Sequence, residues 1–315
     1  MKRILKRVAI GLAVFLVLGI SSLAVAIVVR EDRTFDRPYP EIAASTDPAV
    51  IERGRYLVTG PAHCAECHAT PGTPPSAEPH LTGGVAFHLP IGTIYSRNIT
   101  PDATTGIGRY SDRELARVLR YGVRPDGRAM IPFMPFANLS DDDLTAVLSY
   151  LRSRPGVEHD VPASSYNMLG RAAKAFLLEP SDPTGTPPAH SPAGATVERG
   201  KYLANSVANC NGCHTRRSLK TGEQLGVTFA GGMELESHTH PGVKVVTPNL
   251  TPDPATGHIT QWTEEQFIAR FKSGAVVVEG SPMPWKTFSR MTDDDLRALY
   301  RYLKSLPPAR KGQGV

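Results

Sequence analysis

The feature that most constrains this 315-residue chain is a pentad that occurs twice: Cys64-Ala65-Glu66-Cys67-His68 and Cys210-Asn211-Gly212-Cys213-His214. Together the two hold all four cysteines of the sequence. Two thiols separated by two residues lie on one side of a single turn, within reach of the two vinyl groups on one edge of a porphyrin. The histidine that follows then projects under the ring toward the iron. The pattern reads as attachment of two covalently bound haem c groups. A zinc site built from Cys, Cys and His would want a fourth ligand at finger-like spacing. A redox pair does not demand a histidine directly after it, twice. Structural disulfides are open to an exported chain, but the haem reading accounts for every cysteine and puts both pentads at equivalent points of a repeat.

That repeat covers most of the chain. Glu52-Arg53-Gly54-Arg55-Tyr56-Leu57 recurs as Glu198-Arg199-Gly200-Lys201-Tyr202-Leu203, Gly83-Gly84 as Gly231-Gly232, and Asn98-Ile99-Thr100-Pro101-Asp102 as Asn249-Leu250-Thr251-Pro252-Asp253. Asp141-Asp142-Asp143-Leu144 returns as Asp293-Asp294-Asp295-Leu296. Two copies at a long period indicate a duplicated domain rather than a solenoid. Each copy predicts a helix just before its pentad, over about 47–58 and 195–205. A second is predicted from the capping boxes at Ser111/Glu114 and Thr263/Gln266, and a last from Ser140 and Thr292 with acidic first turns. Leu144, Val147, Leu148 and Leu151, like Leu296, Leu299, Tyr300 and Leu303, recur at helical spacing and read as core. Gly54 and Gly200 are small enough to let the first helix cross the last closely, near Tyr150 and Tyr302. Residues 163–178 read as an extra helix closing the first copy. The proline-rich stretch from Glu179 to Thr196 reads as a linker. The division expected is an N-terminal segment 1–30, a first domain 45–178, a linker 179–194 and a second domain 195–310.

Val8 to Val29 is apolar except for Ser21 and Ser22, and as a helix spans roughly 33 Å, enough to cross a bilayer. Lys2, Arg3, Lys6 and Arg7 precede it and supply four of the chain's net +5 charges. A positive flank belongs in the cytoplasm, which sends everything after Arg30 to the periplasm of a Gram-negative cell. The expectation is an uncleaved anchor in the inner membrane. The competing reading is a cleaved signal peptide, for which Ala24-Val25-Ala26 offers a site. With the flank set aside, little positive charge remains and no basic stripe for nucleic acid is present.

Each iron needs a second axial ligand or an open face. Met283 in Ser281-Pro282-Met283-Pro284-Trp285 lies just ahead of the last helix of the second copy. In the first copy the choice is Met134 or Met130; Met134 shares the Met-Pro-aromatic pattern and is preferred. The bland reading is that these methionines fill core space. His80, His88, His238, His240 and His258 do not match between the copies and read as loop residues, and His63 as surface or packing. Asn98 and Asn249 open turn-rich loops and serve either turn chemistry or a hydrogen bond to a haem propionate. Trp285 and Phe136 are expected on or near the rings.

The E-R-G-x-Y-L run before each pentad, the N-[IL]-T-P-D-x-x-T-G loop and the Met-Pro segment ahead of [ST]-D-D-D-L give a resemblance. The sequence resembles the diheme cytochromes c related to the cytochrome subunits of membrane-bound alcohol, gluconate and sugar dehydrogenases, over roughly 47–155 and 195–308. The resemblance implies an all-α fold, two tandem class I-type cytochrome c domains after an N-terminal transmembrane helix. It implies that Cys64, Cys67, His68 and Met134 serve one haem and Cys210, Cys213, His214 and Met283 the other. The dehydrogenase subunits usually carry three such domains, where this sequence has two. The function it implies is relay of single electrons between a dehydrogenase or quinol-oxidising donor and a respiratory acceptor, without catalysis by the chain itself. The alternative is a diheme enzyme of the peroxidase or thiosulfate-oxidising type, which would need an open distal face; two matched Met-Pro segments argue against it.

Overall fold

The computed structural model describes residues 1–70, 78–218, 223–237, 240 and 242–314. Helix α1 (Lys2–Arg30) is long, almost wholly exposed and apolar, with mean hydropathy 2.9 over its most apolar window. The first copy follows with α2 (Pro48–Thr59), α3 (Cys64–His68), strands β1 (Ala86–Leu89) and β2 (Gly92–Tyr95), α4 (Asp112–Tyr121), α5 (Asp141–Ser153), β3 (Ser165–Tyr166) and α6 (Met168–Phe176). The second has α7 (Val197–Tyr202), α8 (Cys210–His214), β4 (Glu234–Glu236), β5 (Lys244–Val246), α9 (Glu264–Lys272), α10 (Trp285–Phe288) and α11 (Asp293–Ser305). The fold is mostly helical. The strands, which the all-α expectation did not contain, form small antiparallel sheets of order β1-β2-β3 and β4-β5. Strands β1, β2, β4 and β5 grow from the loops between the pentads and the Asn-x-Thr-Pro-Asp turns, and β3 is added from the segment after α5.

The helix starts follow from local chemistry. Ser111 and Thr263 accept from the third backbone N–H of their helices while Glu114 and Gln266 reach back, the complete capping box in both copies. Ser140 and Thr292 accept from the third backbone N–H of α5 and α11 without the reciprocal bond, and the aspartates behind them face the positive end of each helix. The segment 163–178 becomes strand β3 and then α6; Asn167 accepts from Gly170 N and so starts the helix late. The proline-rich stretch after it runs along the start of α5, where Pro188 and Ala189 carbonyls accept from the Asp141 and Asp142 amides.

Within each copy the first and last helices cross at a glycine. A Cβ on Gly54 would overlap the Ala146 carbonyl and Tyr150, and one on Gly200 would overlap the Ala298 carbonyl and Tyr302. Over that crossing Arg53 grips Asp143 in a two-pronged ion pair (2.8 and 3.0 Å), and Arg199 grips Asp295 with the same distances.

The copies then exchange tyrosines. Tyr56 Oη of the first copy donates to Asp295 of the second (2.6 Å), and Tyr202 Oη of the second donates to Asp143 of the first (2.8 Å). Each tyrosine oxygen also accepts from the cap amide of the other copy's last helix, Thr292 N and Ser140 N. This reciprocal contact is what two related domains make about an approximate twofold axis. A single buried core, with Leu57, Leu144, Leu148, Leu203, Leu296 and Leu299 at its centre, runs through both copies.

Burial works to raise the Asp295 carboxyl, but the Arg199 guanidinium and the Tyr56 hydroxyl outweigh it and hold the group below its ordinary 3.8. Its contribution to stability is therefore present above that pH and lost as pH falls through and below it. Asp295→Asn leaves Arg199 buried without its counter-charge and is expected to lower stability by about 3–5 kcal/mol at neutral pH. In equilibrium denaturation, the gap between wild type and variant should narrow below about pH 4.

Candidate functional site

Each pentad forms one helical turn preceded by a residue in the left-handed region, His63 (φ 42°) and Asn209 (φ 51°). That turn of the backbone breaks α2, and the helical stretch behind α7, away from the cysteine-bearing turn. Left-handed backbone is tolerated better by Asn and His than by most non-glycine residues. In the first copy the ring of His63 is also put to use, lying edge-on against Phe288 of the second copy at 5.5 Å.

All four cysteines are free thiols. Burial pushes Cys64 and Cys210 up to about 12 and raises Cys67 and Cys213 too, so the four stand uncharged at neutral pH. His68 Nδ1 donates to the Arg97 carbonyl at 2.8 Å and His214 Nδ1 to the Pro248 carbonyl at 3.1 Å. Desolvation, against the pull of those carbonyls, holds both imidazoles below 6.5. With the proton fixed on Nδ1, the lone pair stands on Nε2, the orientation a metal-ligating histidine takes.

The carbonyls are held by the repeated glycine pair and the Asn-x-Thr turn. Gly83 N donates to the His68 carbonyl and Gly231 N to that of His214, both at 2.8 Å. Both glycines are left-handed, and a Cβ on either would strike the Arg97 or Pro248 carbonyl group.

Directly after each carbonyl stands a buried asparagine. Asn98 accepts from Thr100 N and Oγ1 and donates to Thr105 Oγ1 and the Val157 carbonyl. Asn249 repeats the set with Thr251, Thr256 and the Ala309 carbonyl. Every polar group of both amides is engaged, so they are turn-builders, and the propionate reading of these two residues is withdrawn. Sequence reasoning did not find the role of Arg97 and Pro248, because it is carried by backbone atoms. The one signal was their fixed place before each Asn-x-Thr turn.

Met134 and Met283 are half-buried and pack against the shared core, as do Cys64 and Cys210. Met130 instead sits on the turn where its amide donates to the Gly122 carbonyl and Ala129 bridges Val123. Met283 precedes α10, whose Trp285 stacks beneath the Arg270 guanidinium at 3.6 Å and meets Phe271 edge-on at 5.3 Å. Phe136 is buried in the core, with no helix around it to match α10. Of the unmatched histidines, His80 and His88 are exposed, and His258 packs on Trp262. His238 lies outside the described residues. The donor sets, two uncharged thiols and an imidazole with Nε2 unblocked, fit a haem in each copy.

Comparison with known proteins agrees with this chemistry. Residues 49–151 match the family model for cytochrome c oxidase, cbb3-type, subunit III, and residues 197–307 match that for cytochrome c. The cytochrome c subunit of the quinone-type alcohol dehydrogenase of Gluconacetobacter polyoxogenes is 34% identical over 85% of this chain, which spans 58% of that subunit. The gluconate 2-dehydrogenase cytochrome c subunit of Pantoea cypripedii is 32% identical over 82% of the chain, which spans 60% of it. A diheme cytochrome c-type protein of Cereibacter sphaeroides is 27% identical over 94% of this chain and 97% of its own length.

Asn249→Ala would strand Thr251, Thr256 and the Ala309 carbonyl in a buried turn. A loss of about 1–3 kcal/mol in chemical denaturation is the expected result. A residue that only bound a cofactor carboxylate would leave that stability unchanged.

Proposed function

This chain belongs to the c-type cytochromes, with two cytochrome c domains in tandem and homology to the cytochrome c subunits of alcohol, gluconate and fructose dehydrogenases, and from that premise we propose that it relays single electrons through two covalently held haems. A bound haem would supply one-electron iron chemistry. The observation that carries the reading is the pair of oriented imidazoles, His68 on the Arg97 carbonyl and His214 on the Pro248 carbonyl, each beside two unpaired thiols.

In this reading Cys64 and Cys67, and Cys210 and Cys213, give their sulfurs to thioether bonds. His68 and His214 would hold the metal through Nε2, and the carbonyl on Nδ1 raises the basicity of each ring. Met134 and Met283 would offer the haem a thioether sulfur, the ligand type that favours the reduced state and suits a carrier. The matched methionines speak for relay without catalysis. The domains divide near 45–178 and 195–310 around the stretch 179–194. Helix α1 anchors the chain in the inner membrane, with both domains in the periplasm. The donor, by analogy with the named relatives, is a dehydrogenase subunit, and the acceptor a respiratory component in or on the membrane.

Met283→Ala should leave both haems attached and lower the potential of one, read by spectroelectrochemical titration. Two unchanged potentials would remove Met283 from the ligand set.

A further inference from the structure

Helix α6 is divided lengthwise. Around its axis Met168, Leu169, Ala172, Ala173, Phe176 and Leu177 fill one half, and Gly170, Arg171, Lys174 and Ala175 the other. The second half is used by the protein. Gly170 lies against the Ile91 carbonyl, where a Cβ would not fit, and Ala175 is fully buried. Arg171 pairs with Glu31 (2.6 Å) and Lys174 with Asp32 (3.3 Å). The apolar half carries the exposure: Met168 is 60% exposed, Leu169 61% and Leu177 71%.

The position of α6 says what covers that half. It packs on α1, and Ile27 is the only residue of α1 that is buried. Arg30 Nε donates to the Ala175 carbonyl, and its guanidinium lies 5.6 Å from the Phe176 ring. Glu31 and Asp32, the first residues beyond the apolar helix, hold its two cations. The helix therefore stands at the level where α1 would leave the hydrocarbon for water.

We propose that α6 is a membrane-surface helix whose Met168, Leu169, Phe176 and Leu177 enter the headgroup boundary of the bilayer that α1 crosses, seating the first domain on the membrane in one orientation. This rests on the reading of α1 as an anchor. The contact is continuous with that span, and an amphipathic helix with one apolar half is the form that lies in an interface plane. Among the described residues no helix follows α11 in the second copy.

The test is photolabelling of the full, haem-loaded chain in nanodiscs of phosphatidylethanolamine and phosphatidylglycerol carrying an acyl-chain diazirine lipid, with labelled residues mapped by mass spectrometry. Label in α1 and within 168–177 is expected. In the variant L169S/L177S the label in 168–177 should be lost while that in α1 persists. Label in α1 with none in 168–177, or with the exposed run Val276–Val278 labelled instead, would overturn the surface helix and leave the anchor standing. A chain unlabelled in α1 would sink the anchor reading and this inference with it.

Discussion

Two buried carboxylates govern how this chain is put together. Asp143 and Asp295 sit at the third position of the last helix of each copy, each gripped by an arginine of its own domain and a tyrosine of the other. Each domain pairs the charge itself, through Arg53 or Arg199, but buried carboxylates are tolerated only when their hydrogen bonds are filled as well, and here one of those comes from the other domain's tyrosine. The grip of Arg53 and Arg199 keeps the first helix crossed on the last, and the glycines at the crossing allow the approach. The first helix in turn delivers the cysteine-bearing turn through one left-handed residue. The site in each copy thus inherits its place from an interaction that spans both.

The pseudo-symmetry is incomplete, and where it breaks the two sites differ. Glu66, between the cysteines of the first pentad, accepts a hydrogen bond from Thr287 in the turn that follows Met283. His63 packs on Phe288 in the same turn. At the matching place in the second pentad stands Gly212, which has no side chain to reach across. Its counterpart partner, Asn138, accepts from Thr184 instead. The first pentad therefore braces the segment behind Met283, and nothing equivalent among the described residues returns the favour to the segment behind Met134.

The duplication, the pentads, the helix caps and the glycine crossings were all legible in the sequence, because each is a local rule or a repeated spacing. Ser111 with Glu114 and Thr263 with Gln266 are capping boxes whatever the tertiary structure does. The tyrosine exchange was not legible. Tyr56 and Tyr202 were visible as repeated residues, but a repeat says only that each does the same job, not that each does it for the other copy. The small sheets escaped notice because their strands are only two to four residues long. Asn98 and Asn249 were open to two readings, since an amide suits both a turn and an anionic group; counting the partners of its oxygen and nitrogen decides between them. The role of α6 needed the position of α1, which lies more than a hundred residues away in the chain.

The central claim is that each copy holds one haem through its pair of cysteines. The most direct measurement is the intact mass of the purified chain under denaturing conditions that strip any group not covalently bound. The account predicts a chain carrying two haem masses, falling to one when Cys210 and Cys213 are both replaced by alanine. A bare chain, or one whose mass and thiol count indicate two disulfides, would contradict it.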